Sequence, residues 1–285
     1  AGPDSSVLSK LTGLENMADG SFALEGEIGL FDGGYQLHQL AVRVAETRVT
    51  IDGRIGAGPA PADTRLHIEG QGESLAFFQN HLPDIPLPEI PFEITGGLSF
   101  DETGLSLDRL EIGTETMRLS VHGFFAGEES TAATELELTL NGDDLEQSGA
   151  AMAAAGVEGI PNLPDKAFSV TGRLGIDETG YLLRGVEAHL GTGRLTVDGR
   201  LGPFPDLLGT DLTLHGDGPD ASLFTSLTGG EIPVAPFQLR GRVERPDANF
   251  LFNDFFMRLG EYRVVLDGTL GEPPTLAGTD LDFRA

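Results

Sequence analysis

The stretch TRVTIDGRIG, Thr47 to Gly56, returns almost unchanged as GRLTVDGRLG, Gly193 to Gly202, 146 positions later. In each copy apolar and polar residues alternate. Val49 and Ile51, like Leu195 and Val197, fall on one side, while Asp52 and Asp198 fall on the other. A period of two marks a strand with one buried face. The repetition extends well beyond this strand. Four segments open alike, FALEGEI at Phe22, FEITGGL at Phe92, FSVTGRL at Phe168 and FQLRGRV at Phe237, with spacings of 70, 76 and 69 residues. From Gly26, Gly96, Gly172 and Gly241 in these segments, a second glycine follows after 27 residues, at Gly53, Gly123, Gly199 and Gly268. An arginine precedes each second glycine by five positions: Arg48, Arg118, Arg194 and Arg263. A recurring register of this kind predicts a repeat architecture.

Each period reads as four antiparallel strands and one short helix. FDGG, FDETG and IDETG supply hairpin turns after the first strand, with RPDAN in the last period. The second strand carries a phase slip, a step of three instead of two, at Leu37 to Leu40, Leu107 to Leu110, Leu183 to Val186 and Phe252 to Phe255. A β-bulge at each slip returns the apolar side chains to one face. Helical spacing follows the fourth strand in ESLAFFQNHL from Glu73, LEQSGAAMAAAGV from Leu145 and DASLFTSLTG from Asp220. Proline-rich crossovers then lead to the next Phe.

The expected fold is mostly β: four repeats of about 70 residues building an elongated, twisted, curled sheet with an apolar inner groove. The expected units are 1–21, the end of a preceding repeat, then 22–91, 92–167, 168–236 and an incomplete 237–285. GPDSSVLSKLTG from Gly2 matches GPDASLFTSLTG from Gly218, and TDLDF from Thr279 matches TDLTL from Thr210. Both ends are thus in phase with the array, and a segment of a longer protein is expected.

The residues expected to line the groove come from the first and third strand of each unit. First strands supply Phe22, Leu24 and Ile28; Phe92, Ile94, Leu98 and Phe100; Phe168, Val170, Leu174 and Ile176; and Phe237, Leu239 and Val243. Third strands supply Val49 and Ile51, Leu119 and Val121, Leu195 and Val197, and Val264 and Leu266. Arg245 is the exception on this face and is expected at a strand end. Four short helices cannot cover about 16 strands, so the apolar face is expected either to close on itself or to form an open trough.

The 18 basic and 45 acidic residues give a formal charge of −27, which argues against a nucleic-acid partner. With no cysteine there is neither a disulfide framework nor a thiolate site. His38, His67, His122, His189 and His215 are expected on the solvated face. His67 with Glu69 is the nearest approach to a metal pair, without ligand spacing. GDGPDA from Gly216 fits a dinucleotide fingerprint formally, but Asp217 and Asp220 would oppose a pyrophosphate. It reads as a helix-start turn. Asp101 with Glu102, and Asp143 with Asp144, read as turn and helix-start acids rather than catalytic carboxylates. No catalytic set, metal or cofactor is expected, and the protein is read as no enzyme.

The run GPDASLFTSLTGGEIPVAPFQLRGRV from Gly218, followed by FFMRLGEYRVVLDGTLG from Phe255 and echoed in the other units, resembles the AsmA-like family of Gram-negative bacteria, relatives of TamB and YhdP. The resemblance covers essentially the whole chain and implies a periplasmic β-groove protein that carries phospholipid toward the outer membrane. It further implies an inner-membrane anchor outside this chain and membrane proteins docking at the array ends. Sheltering a 16-carbon acyl chain from water takes roughly 12 kcal/mol of continuous apolar cover, at about 0.8 kcal/mol per CH₂. The expected function is therefore non-enzymatic conduction of phospholipid acyl chains in support of outer-membrane biogenesis. The alternative is a structural or adhesive β-solenoid with a closed apolar interior.

Overall fold

Alternating segments become strands throughout the computed structural model, which describes residues 22–57, 63–76, 79, 87–127, 130, 133–154, 163–203, 206–225, 231–271 and 277–284. The protein is mostly β, with sixteen strands among the described residues that pair antiparallel. Its contacts divide it into two units. The first contains β1 (Phe22–Phe31), β2 (Gly34–Val44), β3 (Thr47–Gly56), β4 (Thr64–Gly72), β5 (Phe92–Asp101), β6 (Gly104–Gly113) and β7 (Met117–Ala126). The second contains β8 (Thr134–Gly142), β9 (Phe168–Asp177), β10 (Gly180–Leu190), β11 (Gly193–Leu201), β12 (Thr210–Gly218), β13 (Phe237–Arg245), β14 (Phe250–Leu259), β15 (Tyr262–Leu270) and β16 (Asp280–Arg284). Within each unit the strands are hydrogen-bonded in chain order, and neither unit's sheet closes on itself.

All four phase slips are β-bulges. The register between the second and third strands shifts at Leu37/Leu40, Leu107/Leu110, Leu183/Val186 and Phe252/Phe255. One residue in each bulge is left-handed: Gln39 (φ 46°), Arg109 (47°), Gly185 (56°) and Asp254 (47°). For a residue other than glycine this conformation costs roughly 1–2 kcal/mol. A carboxylate on the facing strand tethers the left-handed residue in three bulges, offsetting part of that cost at Gln39 and Asp254. Asp52 Oδ1 accepts the Gln39 N–H at 2.8 Å, Asp198 Oδ1 the Gly185 N–H at 2.6 Å, and Asp267 Oδ1 the Asp254 N–H at 2.8 Å. In β7 the matching residue is His122, whose Nδ1 lies 3.9 Å from Asp108 Oδ1.

The first-strand glycine sits opposite each bulge because the bulged backbone presses in there. A Cβ on Gly26 would come within 2.6 Å of Leu40 Cα, on Gly96 within 2.6 Å of Leu110 Cα, and on Gly241 within 2.7 Å of Phe255 Cα. The glycine after the tethering Asp is constrained from the fourth strand. Gly53 has φ +136°, and a Cβ there would lie 2.1 Å from the Arg65 carbonyl oxygen.

The expected helical segments lie partly outside the described residues. Among the described residues a single α-helix forms, α1 (Leu145–Ala154), while the segment from Asp220 yields a 3-10 turn at Ala221–Phe224. Residues 75, 76 and 79 also adopt 3-10 conformation. The segment from Gly2 that matches the one from Gly218 lies outside the described residues. Segments this short cannot sustain a helix by backbone hydrogen bonds alone. The crossover fixes them instead: Leu75 N donates to Ile90 O at 2.9 Å, Leu145 N to Lys166 O at 2.9 Å, and Ala221 N to Ala235 O at 2.8 Å. Each acceptor stands two residues before a repeat-opening Phe.

Candidate apolar binding face

Register decides which side chains share a face, since residues directly opposite on neighbouring strands point the same way. In the first unit one row runs Leu24, Val42, Val49, Gly70, Ile94, Ile112, Leu119 from β1 to β7. The adjacent row runs Leu40, Ile51, Ile68, Gly96 and, past the β6 bulge, Leu110 and Val121. In the second unit the matching rows are Leu140, Val170, Ala188, Leu195, Gly216, Leu239, Met257, Val264, and Leu138, Gly172, Val186, Val197, Leu214, Gly241, Phe255, Leu266, Phe283. Parallel rows hold Ile28 and Leu98 in the first unit, and Leu174 and Val243 in the second. Phe100 and Ile176 belong to the row at the hairpin rim.

Every residue expected on the apolar face therefore lies on one face of its unit's sheet. Their depth differs. Phe92 and Phe168 are only 3% and 8% exposed. Together with Phe22 and Phe237 they occupy the crossover rim rather than the middle of the face. Phe92 stacks over Gly72, where a Cβ would meet its ring at 2.8 Å, and Phe237 over Gly218 at 2.5 Å. The Phe237 ring also meets Phe224 edge-on, 5.1 Å between centroids. Central residues such as Ile68, Leu98, Val197 and Leu214 are half-buried. Among the described residues each strand packs chiefly against its hydrogen-bonded neighbours.

Second and fourth strands also contribute to the apolar face. Val42, Leu66, Ile68, Ile112, Leu138, Leu212 and Leu214 all lie in these rows. Extending the alternation through the bulge and across to the fourth strand identifies them. Arg245 is the last residue of β13, and its guanidinium carbon sits 4.7 Å above the Phe250 ring centroid. The strand-end reading of this arginine matches its position.

The opposite face is polar and held by ion pairs. Arg200 binds Asp177 through both carboxylate oxygens, at 2.7 and 2.9 Å, and Arg242 binds Asp211 at 2.6 and 2.7 Å. Arg200, then the Thr179 hydroxyl and N–H, hold the Asp177 carboxyl far below the usual range. Arg242 lowers Asp211 in the same way, and His189 and then Arg194 lower Glu187. Of the four registered arginines, Arg194 pairs with Glu187 at 2.7 Å and Arg118 approaches Glu111 at 4.0 Å. Arg263 sits 5.9 Å from the Phe256 ring centroid. Arg48 lines a polar cavity of about 490 Å³ with Glu69, Glu93, Glu111 and Arg118.

The smaller motifs resolve as local structure. His67 and Glu69 stand 3.4 Å apart, and among the described residues no group of three potential metal ligands gathers. Asp220 caps the 3-10 turn by accepting the Ser222 N–H at 2.9 Å. Asp101 accepts the Thr103 and Gly104 N–H groups at 2.7 and 3.1 Å. No described helix is long and apolar enough to cross a membrane. No family model matches the chain, and no curated protein or solved structure is found similar to it.

Proposed function

We propose that the apolar face binds the acyl chains of phospholipids and conducts them along successive strands, with headgroups left in solvent and no covalent chemistry. The supporting observation is continuity: in each unit the apolar rows pass from strand to strand in register, interrupted only by glycine, with the central side chains half-buried. A face of this kind is costly in water at about 25 cal/mol per Å². An acyl chain lowers that cost without needing hydrogen-bond partners. We propose also that the four similar strand sets are repeats of one groove-building module, that the protein belongs with AsmA-like proteins, and that it works in the periplasm tethered to the inner membrane. Membrane proteins at the array ends are the expected docking partners.

A scaffold with a closed apolar interior is the weaker reading, because neither unit's sheet closes. The test is lipid extraction and mass spectrometry of protein purified without detergent. Stoichiometric phospholipid supports conduction, and lipid-free protein that excludes added fluorescent fatty acid contradicts it.

A further inference from the structure

On the polar face of the first unit, one position departs from its counterparts. The residue that faces a registered arginine from the neighbouring strand is Arg43 opposite Arg48, His189 opposite Arg194 and Arg258 opposite Arg263. Opposite Arg118 it is Gly113. Neither backbone nor packing calls for a glycine there. Gly113 is not left-handed, and a Cβ on it would meet nothing nearer than Arg118 Nη2 at 4.0 Å. The missing side chain leaves room, and the polar cavity of about 490 Å³ has Gly113 in its lining. A volume of this size suits a small molecule.

A carboxylate stands beside this gap. Glu93 faces Gly113, where the counterparts are Ala23, Ser169 and Gln238. Across the cavity the row reads Arg48, Gln71, Glu93, Gly113, Arg118, with Glu69 and Glu111 in the row beside it. These charges pair only loosely with one another. Arg118 Nη1 stands 4.0 Å from Glu111 Oε2, whereas the matching Arg194 closes on Glu187 to 2.7 Å. Among the described residues neither Arg48 nor Glu93 makes an ion pair or a side-chain hydrogen bond.

The lining disfavours the simplest occupants. Its carboxylates repel a plain anion, and its guanidiniums repel a plain cation. No group of three potential metal ligands gathers among the described residues. A molecule that carries both charges satisfies both sets, through charge-assisted hydrogen bonds at each end. We infer that this cavity binds a small zwitterion, an ammonium and an oxyanion joined by a short spacer, with the ammonium on Glu93 and the oxyanion on the Arg118 guanidinium. Two strand spacings, about 10 Å, separate the two backbones. The Arg118 side chain reaches back over Gly113, so a short spacer suffices. Phosphoethanolamine, a phospholipid headgroup unit, and free ω-amino acids share this chemistry. The site lies on the face opposite the apolar rows and is independent of acyl-chain binding.

The test is isothermal titration calorimetry of the full chain at low ionic strength, where exposed charges are least screened. The probes are phosphoethanolamine, γ-aminobutyrate, inorganic phosphate and ethanolamine. At least one of the two zwitterions should bind with Kd below about 1 mM. Phosphate and ethanolamine should each bind at least about tenfold more weakly than that zwitterion. Tighter binding of phosphoethanolamine points to a lipid-headgroup source, and tighter binding of γ-aminobutyrate to a free amino acid. Gly113→Gln fills the gap and should abolish binding with the circular dichroism spectrum unchanged. Glu93→Gln and Arg118→Gln, at exposed positions, should each weaken it at least about tenfold. Failure of both zwitterions to bind overturns the inference. So does a single-charge probe that binds as tightly as either zwitterion, or undiminished binding by Glu93→Gln and Arg118→Gln.

Discussion

Asp52 reaches across from β3 to accept the backbone N–H of Gln39, 2.8 Å away, in the β2 bulge. This contact holds a left-handed residue in place and keeps the apolar side chains of a strand with a phase slip on one face. Removing the acceptor in Asp52→Ala should destabilise the first unit by about 1 kcal/mol. Gln39→Gly removes the conformational strain and should stabilise it by up to about 1 kcal/mol, after glycine's own entropy cost. Urea denaturation of both variants checks the pair. Equal stability in all three proteins would show that the bulge is held by other means.

Glycine at two positive-φ sites should tolerate change very differently. At Gly199 φ is +126° and a Cβ would stand 2.1 Å from the Asp211 carbonyl oxygen, so Gly199→Ala should cost at least about 2 kcal/mol. At Gly185 φ is +56° with nothing within 4 Å, so Gly185→Ala should cost only about 1 kcal/mol. The ratio of the two denaturation midpoints measures whether close strand approach, beyond backbone conformation, is what glycine supplies.

Acid should weaken the second unit through its ion pairs. Asp177, Asp211 and Glu187 are all held below their ordinary values, the first by Arg200, the second by Arg242, the third by His189 and Arg194. A depressed carboxylate stabilises the fold above its unfolded value, near pH 4, and loses that contribution as pH falls through the folded value. Thermal midpoints should therefore fall between about pH 4 and pH 2. The fall should be shallower in Arg200→Gln, because Asp177 then titrates nearer its unfolded value.

Burial separates two aspartate substitutions on the apolar face. Phe92, at 3% exposure with its ring against Gly72, is structural, and Phe92→Asp should cost at least about 3 kcal/mol and unfold the first unit. Val197 lies half-buried in the middle of its row, so Val197→Asp should leave the circular dichroism spectrum intact while removing bound lipid. A Val197→Asp protein that fails to fold would mean that this face is sealed against something.

Much of the architecture is legible in the chain because its rules are local. Phase slips at Leu37, Leu107, Leu183 and Phe252 give the bulge positions directly, and strict alternation assigns each expected groove residue to its face. What is hidden depends on partners far along the chain. Asp52 and Asp198 alternate onto the polar side as expected, but their tie to Gln39 and Gly185 requires knowing the strand register. The depth of Phe92 and Phe168 depends on packing against other strands at the rim, as Phe92 packs against Gly72, which alternation does not report. Helix starts depend on distant partners too: in DASLFTSLTG the described turn is set by Asp220 and the Ala235 carbonyl, which spacing does not report.

Site-specific photocrosslinking tests the central claim most directly. A benzoylphenylalanine at Val197 reports on the apolar face, and one at its chain neighbour Thr196, whose hydroxyl donates to the His215 carbonyl at 3.2 Å, reports on the polar face of the same strand. Acyl-chain conduction predicts phospholipid adducts at position 197 and none at 196 after irradiation in Gram-negative cells. Equal labelling at both positions, or none at 197, would contradict it.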